Sequence, residues 1–176
     1  PFYITRSGLL GEGLPNNNTA FTASAKEYTL EAGKPTLEVT LDAPDANGVK
    51  VSKRFVFHRD SYVIDETFQI SNNTMAPVQA SAYYELLRDS TPPPGEQRFI
   101  STFTGPALYN EAEKFQKIDF SNIDKGKENK VRKSREGWVA MLQHYFVAAW
   151  IPKAGSDLEF YTRKVGEKYY SAGVVV

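Results

Sequence analysis

Two histidines, His58 and His144, are the side chains of this 176-residue sequence whose chemistry most readily serves catalysis or metal binding. A metal site would need further ligands converging on them, and the spacing places none nearby. An acid–base pair of His144 with Glu85 or Asp65 could be drawn for proton transfer, but no motif unites these residues. We interpret both histidines as hydrogen-bonded structural residues and expect no catalytic residue, no metal and no cofactor.

Aromatic side chains offer a second kind of binding chemistry. Tyr83 and Tyr84 could present flat, polar-edged faces to a sugar or a peptide. Neighbouring residues of a strand point to opposite faces of a sheet, so we expect one tyrosine in the core and the other covering the sheet. The run TPPPG at residues 91–95 could bind an aromatic groove as polyproline II, and we interpret it as a stiffened loop.

A charged loop spans residues 124–136, with the sequence DKGKENKVRKSRE. It holds six basic and three acidic residues and has almost nothing to bury. Such a composition is typical of a solvated connector, which is our interpretation. A partner-binding loop is the alternative, because binding residues concentrate on loops held by a rigid scaffold.

Period-2 alternation of apolar and polar residues indicates the elements that would position these side chains. It begins in TLEVTLDA at residues 36–43, Asn47-Gly48 then signals a hairpin, and alternation continues through residues 49–87. Helical periodicity is scarce, and NEAEKF at residues 110–115 is the best case, with Asn110 as N-cap. The pattern predicts an almost all-β domain of two packed antiparallel sheets, with fewer than ~15% of residues helical.

An apolar stretch, GWVAMLQHYFVAAWIP at Gly137–Pro152, could be a membrane span, a buried helix or a pair of strands. A bilayer needs ~20 apolar residues in a helix, and Gln143 and His144 interrupt this shorter run. Seven of its sixteen residues are Trp, Tyr, Phe, Val or Ile, and both alternation phases are apolar, which favours strands covered on two faces. We predict two consecutive core strands at about residues 138–142 and 145–151.

Length and charge limit the class of protein. The length suits one domain, and 21 basic residues balance 21 acidic ones. A broad nucleic-acid surface needs a basic excess, so we expect no nucleic-acid partner. The chain has no cysteine, which excludes disulfides and thiolate metal sites. It starts at Pro1 and ends in AGVVV, and we interpret it as a fragment of a longer protein.

The apolar stretch also resembles a signature near the end of the periplasmic domain in the YidC/Oxa1/Alb3 family of membrane protein insertases. Its core signature residues here are Trp138, Tyr145, Phe146, Trp150 and Pro152. The resemblance covers most of the chain in the family's order. It extends to SGLLGEGLPNN, KEYTLEAGKPTLEVTL, NGVKVSKRFVFHRDSYVIDETFQISNN and FTGPALYNEAEKFQKIDFSNI.

This resemblance implies a fold, a cellular location and a function. The fold would be a twisted antiparallel β-supersandwich, galactose mutarotase-like, with few short helices, and residues 1–176 would form a single periplasmic domain. That domain would lie at the periplasmic face of the bacterial inner membrane in a multi-pass protein, without itself spanning the membrane. It would support membrane protein insertion without catalysis. The mutarotase-like fold leaves one alternative, a carbohydrate-binding or carbohydrate-modifying module.

The implied partners are components of the Sec translocon. SecDF is the first expectation, and SecYEG and nascent membrane proteins are further candidates. The segment from Arg88 to about Glu136 holds the proline loop and the charged loop, so its side chains are free of the predicted central strands. We expect the partner-binding residues there, at Arg88, Gln97, Lys117 and Lys130.

Overall fold

The computed structural model describes residues 2–92, 102–128 and 130–176. Within these ranges the chain forms thirteen β-strands and one short α-helix. In chain order they are β1 (Tyr3–Leu10), β2 (Thr22–Ala23), β3 (Thr36–Asp42), β4 (Val49–His58), β5 (Ile64–Asn72), β6 (Ser81–Asp89), β7 (Gly105–Asn110), β8 (Lys114–Lys117), α1 (Phe120–Asp124), β9 (Arg132–Ser134), β10 (Gly137–Gln143), β11 (Phe146–Trp150), β12 (Leu158–Val165) and β13 (Tyr169–Val175). The sheets are antiparallel, so the prediction of an all-β protein with few helices is confirmed.

The strands belong to two compact units. Unit 1 comprises Pro1–Gly8 with Ser81–Val176, and unit 2 comprises Leu9–Ala80. Unit 1 contains a five-stranded sheet A, with strand order β1-β6-β13-β12-β9, and a four-stranded sheet B, with order β11-β10-β7-β8. Unit 2 contains a four-stranded sheet C, with order β2-β3-β4-β5. Three sheets therefore replace the two that alternation predicted, because the hairpins of residues 22–72 form a sheet of their own.

The Asn47-Gly48 turn of unit 2 forms as predicted. Both residues have positive φ, 53° and 90°, the combination that a two-residue hairpin turn requires and that Asn-Gly adopts readily. Ala46 and Val49 exchange backbone hydrogen bonds of 3.1 and 3.0 Å across it. The turn thus leads into β4, which pairs with β3 from Asp42↔Ser52 to Thr36↔His58.

A charged side chain lies inside sheet C of unit 2. Lys53 of β4 is buried, and its Nζ lies 4.9 and 5.2 Å from the ring centroids of Phe21 and Phe68. Glu66 of β5 approaches the same ammonium to 3.8 Å. Burial lowers the pKa of Lys53, and the Glu66 carboxylate acts in the opposite direction. Cation–π contacts and one carboxylate thus hold this charge within an otherwise aromatic setting.

The core of unit 1 is a sandwich of sheets A and B. Sheet A contributes Leu86, Phe160 and Val174, and sheet B contributes Val139 and Met141, all buried in one cluster. Ring contacts extend the cluster to its margins, where Trp150 of β11 lies 5.0 Å from Tyr84 of β6. Most of the large apolar side chains that leave water do so here, so burial in this cluster is the main stabilising term of unit 1.

The segment predicted as a helix, residues 110–115, is instead the turn between β7 and β8. Asn110 Oδ1 accepts a hydrogen bond of 2.7 Å from the Glu113 backbone N–H, which is the same bond that a helix cap would make. Phe115 then pairs opposite Tyr109 in sheet B. The prediction is wrong because Asn caps turns and helices by the same chemistry, and strand pairing decided between them. The helix α1 lies further on and has five residues.

The apolar stretch forms the two strands that were predicted, β10 and β11, joined by the two-residue turn His144-Tyr145. No helix among the described residues is long and apolar enough to cross a bilayer. The expectation that Tyr145 and Phe146 are core residues is wrong, since their side chains are 89% and 74% exposed. Tyr145 lies in the turn, and Phe146 is the first residue of β11, an edge strand that has a described neighbouring strand on one side only. Trp138, Trp150 and Pro152 are half-buried.

Candidate partner-binding surface

Arg88, the first predicted partner-binding residue, is buried inside unit 1. It lies on the face of β6 that carries the core residue Leu86, and only 1% of it is exposed. Its guanidinium donates to Gln143 Oε1 at 2.9 Å and to the backbone oxygens of Asp89 and Thr91, also at 2.9 Å. The prediction is wrong for Arg88 because the side chain joins sheet A to sheet B and offers no surface to a partner.

Gln97 lies outside the described residues, as does most of the proline run. Its role in partner binding stays a prediction from the sequence alone. The two remaining candidates, Lys117 and Lys130, are both exposed, and the structure places them near the same edge strand, β8.

We call the surface formed by Lys114, Phe115, Lys117 and Lys130 the β8 edge. Lys117 ends β8 and holds its Nζ 5.2 Å from the Phe103 ring centroid, a cation–π contact. Lys130 lies beside the opposite end of β8, where its Nζ is 2.9 Å from Glu113 Oε1. Phe115 is 49% exposed between them, so the β8 edge combines positive charge with an accessible aromatic ring.

An aromatic stack supports the β8 edge from the neighbouring strands of sheet B. Phe115 lies 5.8 Å from Trp138 of β10, centroid to centroid, and Trp138 stacks at 6.2 Å on Tyr109 of β7. These three rings cover one face of sheet B, which explains why Trp138 is half-buried rather than fully enclosed. An acidic partner with some apolar surface would complement the β8 edge.

The charged loop is fastened to the protein by Arg132, which the sequence analysis did not single out. Arg132 Nε donates to Glu113 Oε2 at 2.7 Å, its Nη2 donates to Glu128 Oε2, and its side chain is 4% exposed. Residues 132–134 form β9, which pairs with β12. The interpretation as a solvated connector is therefore wrong for the second half of the loop. Glu113 is 19 positions from Arg132, and no local spacing could have revealed the pair.

Two carboxylates in this region are held in their charged form. Hydrogen bonds from Lys130 and then Arg132 lower the pKa of Glu113. Lys164, and after it Tyr170, lower the pKa of Asp124 in the same way, through contacts of 2.6 and 2.9 Å. Asp124 ends α1 while Lys164 and Tyr170 lie on β12 and β13, so the start of the charged loop is also tied to sheet A.

A buried carboxylate, Glu85 of β6, forms a second polar cluster in sheet A. It is 2% exposed, and its oxygens lie 3.5 Å from Arg6, 3.1 Å from Arg163 and 3.1 Å from the Tyr161 hydroxyl. Burial, and next the Glu85 charge, raise the pKa of Tyr161. Gly173 separates Glu85 from Tyr161 in the sheet register, and a Cβ there would lie 2.4 Å from the Tyr161 ring. Glycine at this position lets the tyrosine reach the carboxylate.

The acid–base pairs considered from the sequence do not assemble. Glu85 is engaged by the arginines and the tyrosine described above, and Asp65 Oδ2 lies 2.7 Å from His58 Nε2 on the neighbouring strand. His144 is exposed at the β10–β11 turn, with its ring 3.7 Å from that of Tyr145. The ranges that the structure describes hold no group of three or more His, Asp or Glu side chains placed to ligate a metal.

The tyrosines considered for sugar binding do not present a free face. Tyr83 is buried, and Tyr84 packs against Trp150 beside the core of unit 1. These two tyrosines therefore do not form the flat aromatic surface that was considered for sugar binding.

Comparison with known protein families identifies the chain. A model of the YidC periplasmic domain matches residues 1–176, the whole sequence.

The chain belongs to the YidC periplasmic domain family.

Curated relatives agree with this assignment. Proteins named membrane protein insertase YidC are 48% identical in Nitrosospira multiformis, 46% in Aromatoleum aromaticum and 48% in Cupriavidus pinatubonensis. The alignments cover 99%, 99% and 98% of this chain, but 31%, 32% and 30% of the relatives. The chain thus spans about a third of the length of the curated relatives it matches.

Proposed function

We propose that this chain is a non-catalytic periplasmic domain that supports membrane protein insertion at the bacterial inner membrane by docking a component of the Sec translocon. The observation that carries the proposal is the family match over residues 1–176, together with relatives named as membrane protein insertases. SecDF is the first candidate partner, followed by SecYEG and by nascent membrane proteins.

The β8 edge is the proposed docking surface. Its four residues are exposed, and three of them are lysines. Contacts with neighbouring residues order this surface: Glu113 links Arg132 to Lys130, and Trp138 packs against Phe115. A partner would therefore meet side chains that are already ordered. Long-range attraction to the lysines would act mainly on the rate of encounter. Association should weaken as salt shortens the Debye length below ~10 Å.

Site-specific crosslinking in cells tests this proposal. Photoreactive residues at Lys117 and Lys130 of the full-length protein should capture a Sec component that is identified by antibody, while one at Thr40 of sheet C should not. Equal capture from all three positions, or capture from Thr40 alone, would place the interface elsewhere.

A charge variant provides a second test with a matched control. Lys117→Glu should weaken the association of the full-length protein with the Sec component, and the loss should be greatest at low salt. Lys26→Glu makes the same charge change at an exposed residue of unit 2 and should leave the association unchanged. Equal effects of the two substitutions would mean that net charge, rather than the β8 edge, governs binding.

A further inference from the structure

The strand β11 lies at an open edge of sheet B. Among the strands that the structure describes, β10 is its only neighbour, paired from Val139↔Trp150 to Gln143↔Phe146. In an antiparallel pair, alternate residues direct their N–H and C=O groups toward the partner and the residues between them direct theirs away. The outer edge of β11 therefore presents backbone donors and acceptors that no described strand pairs, a template for one more strand.

Charge is absent from this edge. The sequence from Gln143 to Pro152 contains no Lys, Arg, Asp or Glu. Native proteins usually guard exposed edges with charge, especially lysine. The other described edge strands of more than two residues follow that rule, with Arg6 in β1, Asp65 and Glu66 in β5, Lys114 and Lys117 in β8, and Arg132 and Lys133 in β9. Within the described ranges, β11 is the exception.

The side chains of this edge are apolar and accessible. Phe146, Val147 and Ile151 are 74%, 65% and 73% exposed, and Ala149 is exposed as well. Val147 and Ala149 share the face of sheet B opposite the core, since Ala148 between them packs on the core cluster. Exposed apolar side chains and the outer backbone groups of β11 thus lie next to each other along the strand.

The turn that leads into β11 holds an aromatic residue in an unfavourable backbone conformation. Tyr145 has φ 73°, which is a genuine outlier for a bulky residue, and its side chain is 89% exposed. Burial therefore does not explain why tyrosine rather than glycine occupies this position. A contact made by the tip of the hairpin would explain it.

We propose that the open edge of β11 pairs strand to strand with an extended, uncharged, apolar segment of another polypeptide. The absence of charge selects this occupant, because a charged segment would lose water on pairing and find no counter-charge along β11. That the segment belongs to a membrane protein before its insertion rests on the proposed function. The pairing itself rests only on the edge.

A second copy of this chain is a less suitable occupant. The strand offers five residues, whereas a stable interface uses about 20–30 residues a side. Pairing through β11 should therefore be weak and reversible. Weak, reversible pairing suits a segment that must leave again for the bilayer. It does not suit a stable dimer.

Peptide binding to the protein tests the inference. The probe is a dye-labelled peptide of four Thr-Val repeats, with its ends blocked, and binding is followed by fluorescence anisotropy. A second peptide carries N-methyl groups on alternate residues, which removes backbone donors while keeping the side chains. We expect saturable binding of the first peptide and at least ~10-fold weaker binding of the second, because strand pairing requires the donors.

Lysine substitutions locate the binding. Val147→Lys should weaken binding of the unmethylated peptide at least ~10-fold by placing a charge on the edge. Ile70→Lys makes a matched change on the exposed edge strand β5 of unit 2 and should leave binding unchanged. Both residues are exposed, and thermal melts of the two variants should lie close to that of the parent, which separates loss of binding from loss of fold.

Four outcomes would overturn the inference. They are no saturable binding, equal binding of the N-methylated peptide, equal binding by the Val147→Lys variant, or a dimer in sedimentation that Val147→Lys dissolves, which would make a second copy the occupant. The proposed docking of a Sec component is tested separately at Lys117 and Lys130 in cells, so failure of either idea leaves the other measurable.

Discussion

At the scale of single residues, Glu113 and Arg132 show how a polar pair can hold a loop. The Arg132 side chain is almost completely buried, and two carboxylates neutralise it. Removing Glu113 would leave the buried guanidinium with Glu128 but without one of its two carboxylate contacts, and losing a partner of a buried charge is destabilising. Glu113 is partly exposed, so water would compensate some of that loss.

We expect Glu113→Gln to lower the free energy of unfolding by about 1–2 kcal/mol, since hydrogen bonds to charged groups are worth about 1.5–3 kcal/mol and this one is partly solvated. Urea denaturation measures the change. Glu111→Gln is the matched control at an exposed neighbour in the same turn and should change stability by less than ~0.5 kcal/mol. Equal effects of the two variants would mean that the network does not hold the loop.

The same carboxylate makes stability depend on pH. Because the pKa of Glu113 is lowered in the folded protein, its contribution is fully present above the unfolded value of about 4.3 and is lost as pH falls through the folded pKa. Asp124 acts in the same direction. The unfolding midpoint in urea should therefore fall between pH 5 and pH 3, and Glu113→Gln should reduce that fall. A variant with the parent's full acid dependence would contradict the assignment.

Tyr145 stores strain that glycine would relieve. A left-handed conformation costs a non-glycine residue roughly 1–2 kcal/mol, part of which glycine loses again through its flexible unfolded state. Tyr145→Gly should therefore raise the free energy of unfolding by about 0.5–1 kcal/mol in thermal or urea melts. His144→Gly, in the same turn but without a positive φ, should lower it. If His144→Gly stabilised the protein and Tyr145→Gly did not, the backbone strain would not lie at Tyr145.

At the scale of elements, the start of β10 depends on one glycine. Gly137 has φ 140°, and a Cβ there would lie 2.2 Å from the backbone oxygen of Tyr109. That residue belongs to β7, which pairs with β10 from Gly137↔Asn110 onward. Both the conformation and the close approach therefore exclude a side chain.

Gly137→Ala should separate the ends of β7 and β10 and lower the free energy of unfolding by at least ~2 kcal/mol, as strained positions and close contacts do. The midpoint of chemical denaturation measures this. Gly155→Ala is the control, since its φ is also positive but nothing lies within 4 Å of its Cβ position, and its cost should be about 1 kcal/mol. Equal costs would mean that the contact with Tyr109 is unimportant.

The strand β11 is joined to the core by Trp150. Its ring packs on Tyr84, and its buried Nε1 finds no hydrogen-bond partner among the described residues. Trp150→Ala should cost about 3 kcal/mol, the low end for a buried aromatic residue, because Trp150 is only half-buried. Trp150→Phe should cost far less, because it keeps a ring against Tyr84 and removes the unpaired N–H. Thermal melts of both variants test the assignment, and equal losses would contradict it.

At the scale of the whole molecule, both of the proposed binding surfaces lie on sheet B of unit 1. Unit 1 offers the basic β8 edge and the uncharged β11 edge at the two ends of sheet B. Buried polar residues tie the strands of unit 1 together. Arg88 bonds to Gln143 of β10, Glu85 to Tyr161 of β12, and Arg132 to Glu113 in the β7–β8 turn.

Substituting the two histidines tests whether the domain functions without catalysis. The His58–Asp65 pair is exposed and worth at most ~1 kcal/mol, and His144 contacts only its neighbour in the turn among the contacts described. His58→Ala and His144→Ala in the full-length protein should therefore still support growth of a host depleted of its own insertase. A catalytic histidine would contribute ~10²–10⁴-fold in rate. Failure of the folded His58→Ala variant to support growth would contradict a non-catalytic role, since His58 belongs to unit 2 and both proposed binding edges belong to unit 1.

Period-2 alternation, the Asn47-Gly48 turn and the composition of Gly137–Pro152 were sufficient to predict an all-β protein, its first hairpin and the strands β10 and β11. These features are local, because side-chain alternation and turn conformation depend on residues a few positions apart. The resemblance of Gly137–Pro152 and the segments before it to the YidC periplasmic domain added the family of the chain. Only the tertiary structure decided that Arg88 and Arg132 are buried and that Phe146 is exposed. Burial depends on which strands become neighbours. Arg88 meets Gln143 across 55 positions and Arg132 meets Glu113 across 19, while Phe146 is exposed because β11 has no described neighbour beyond β10.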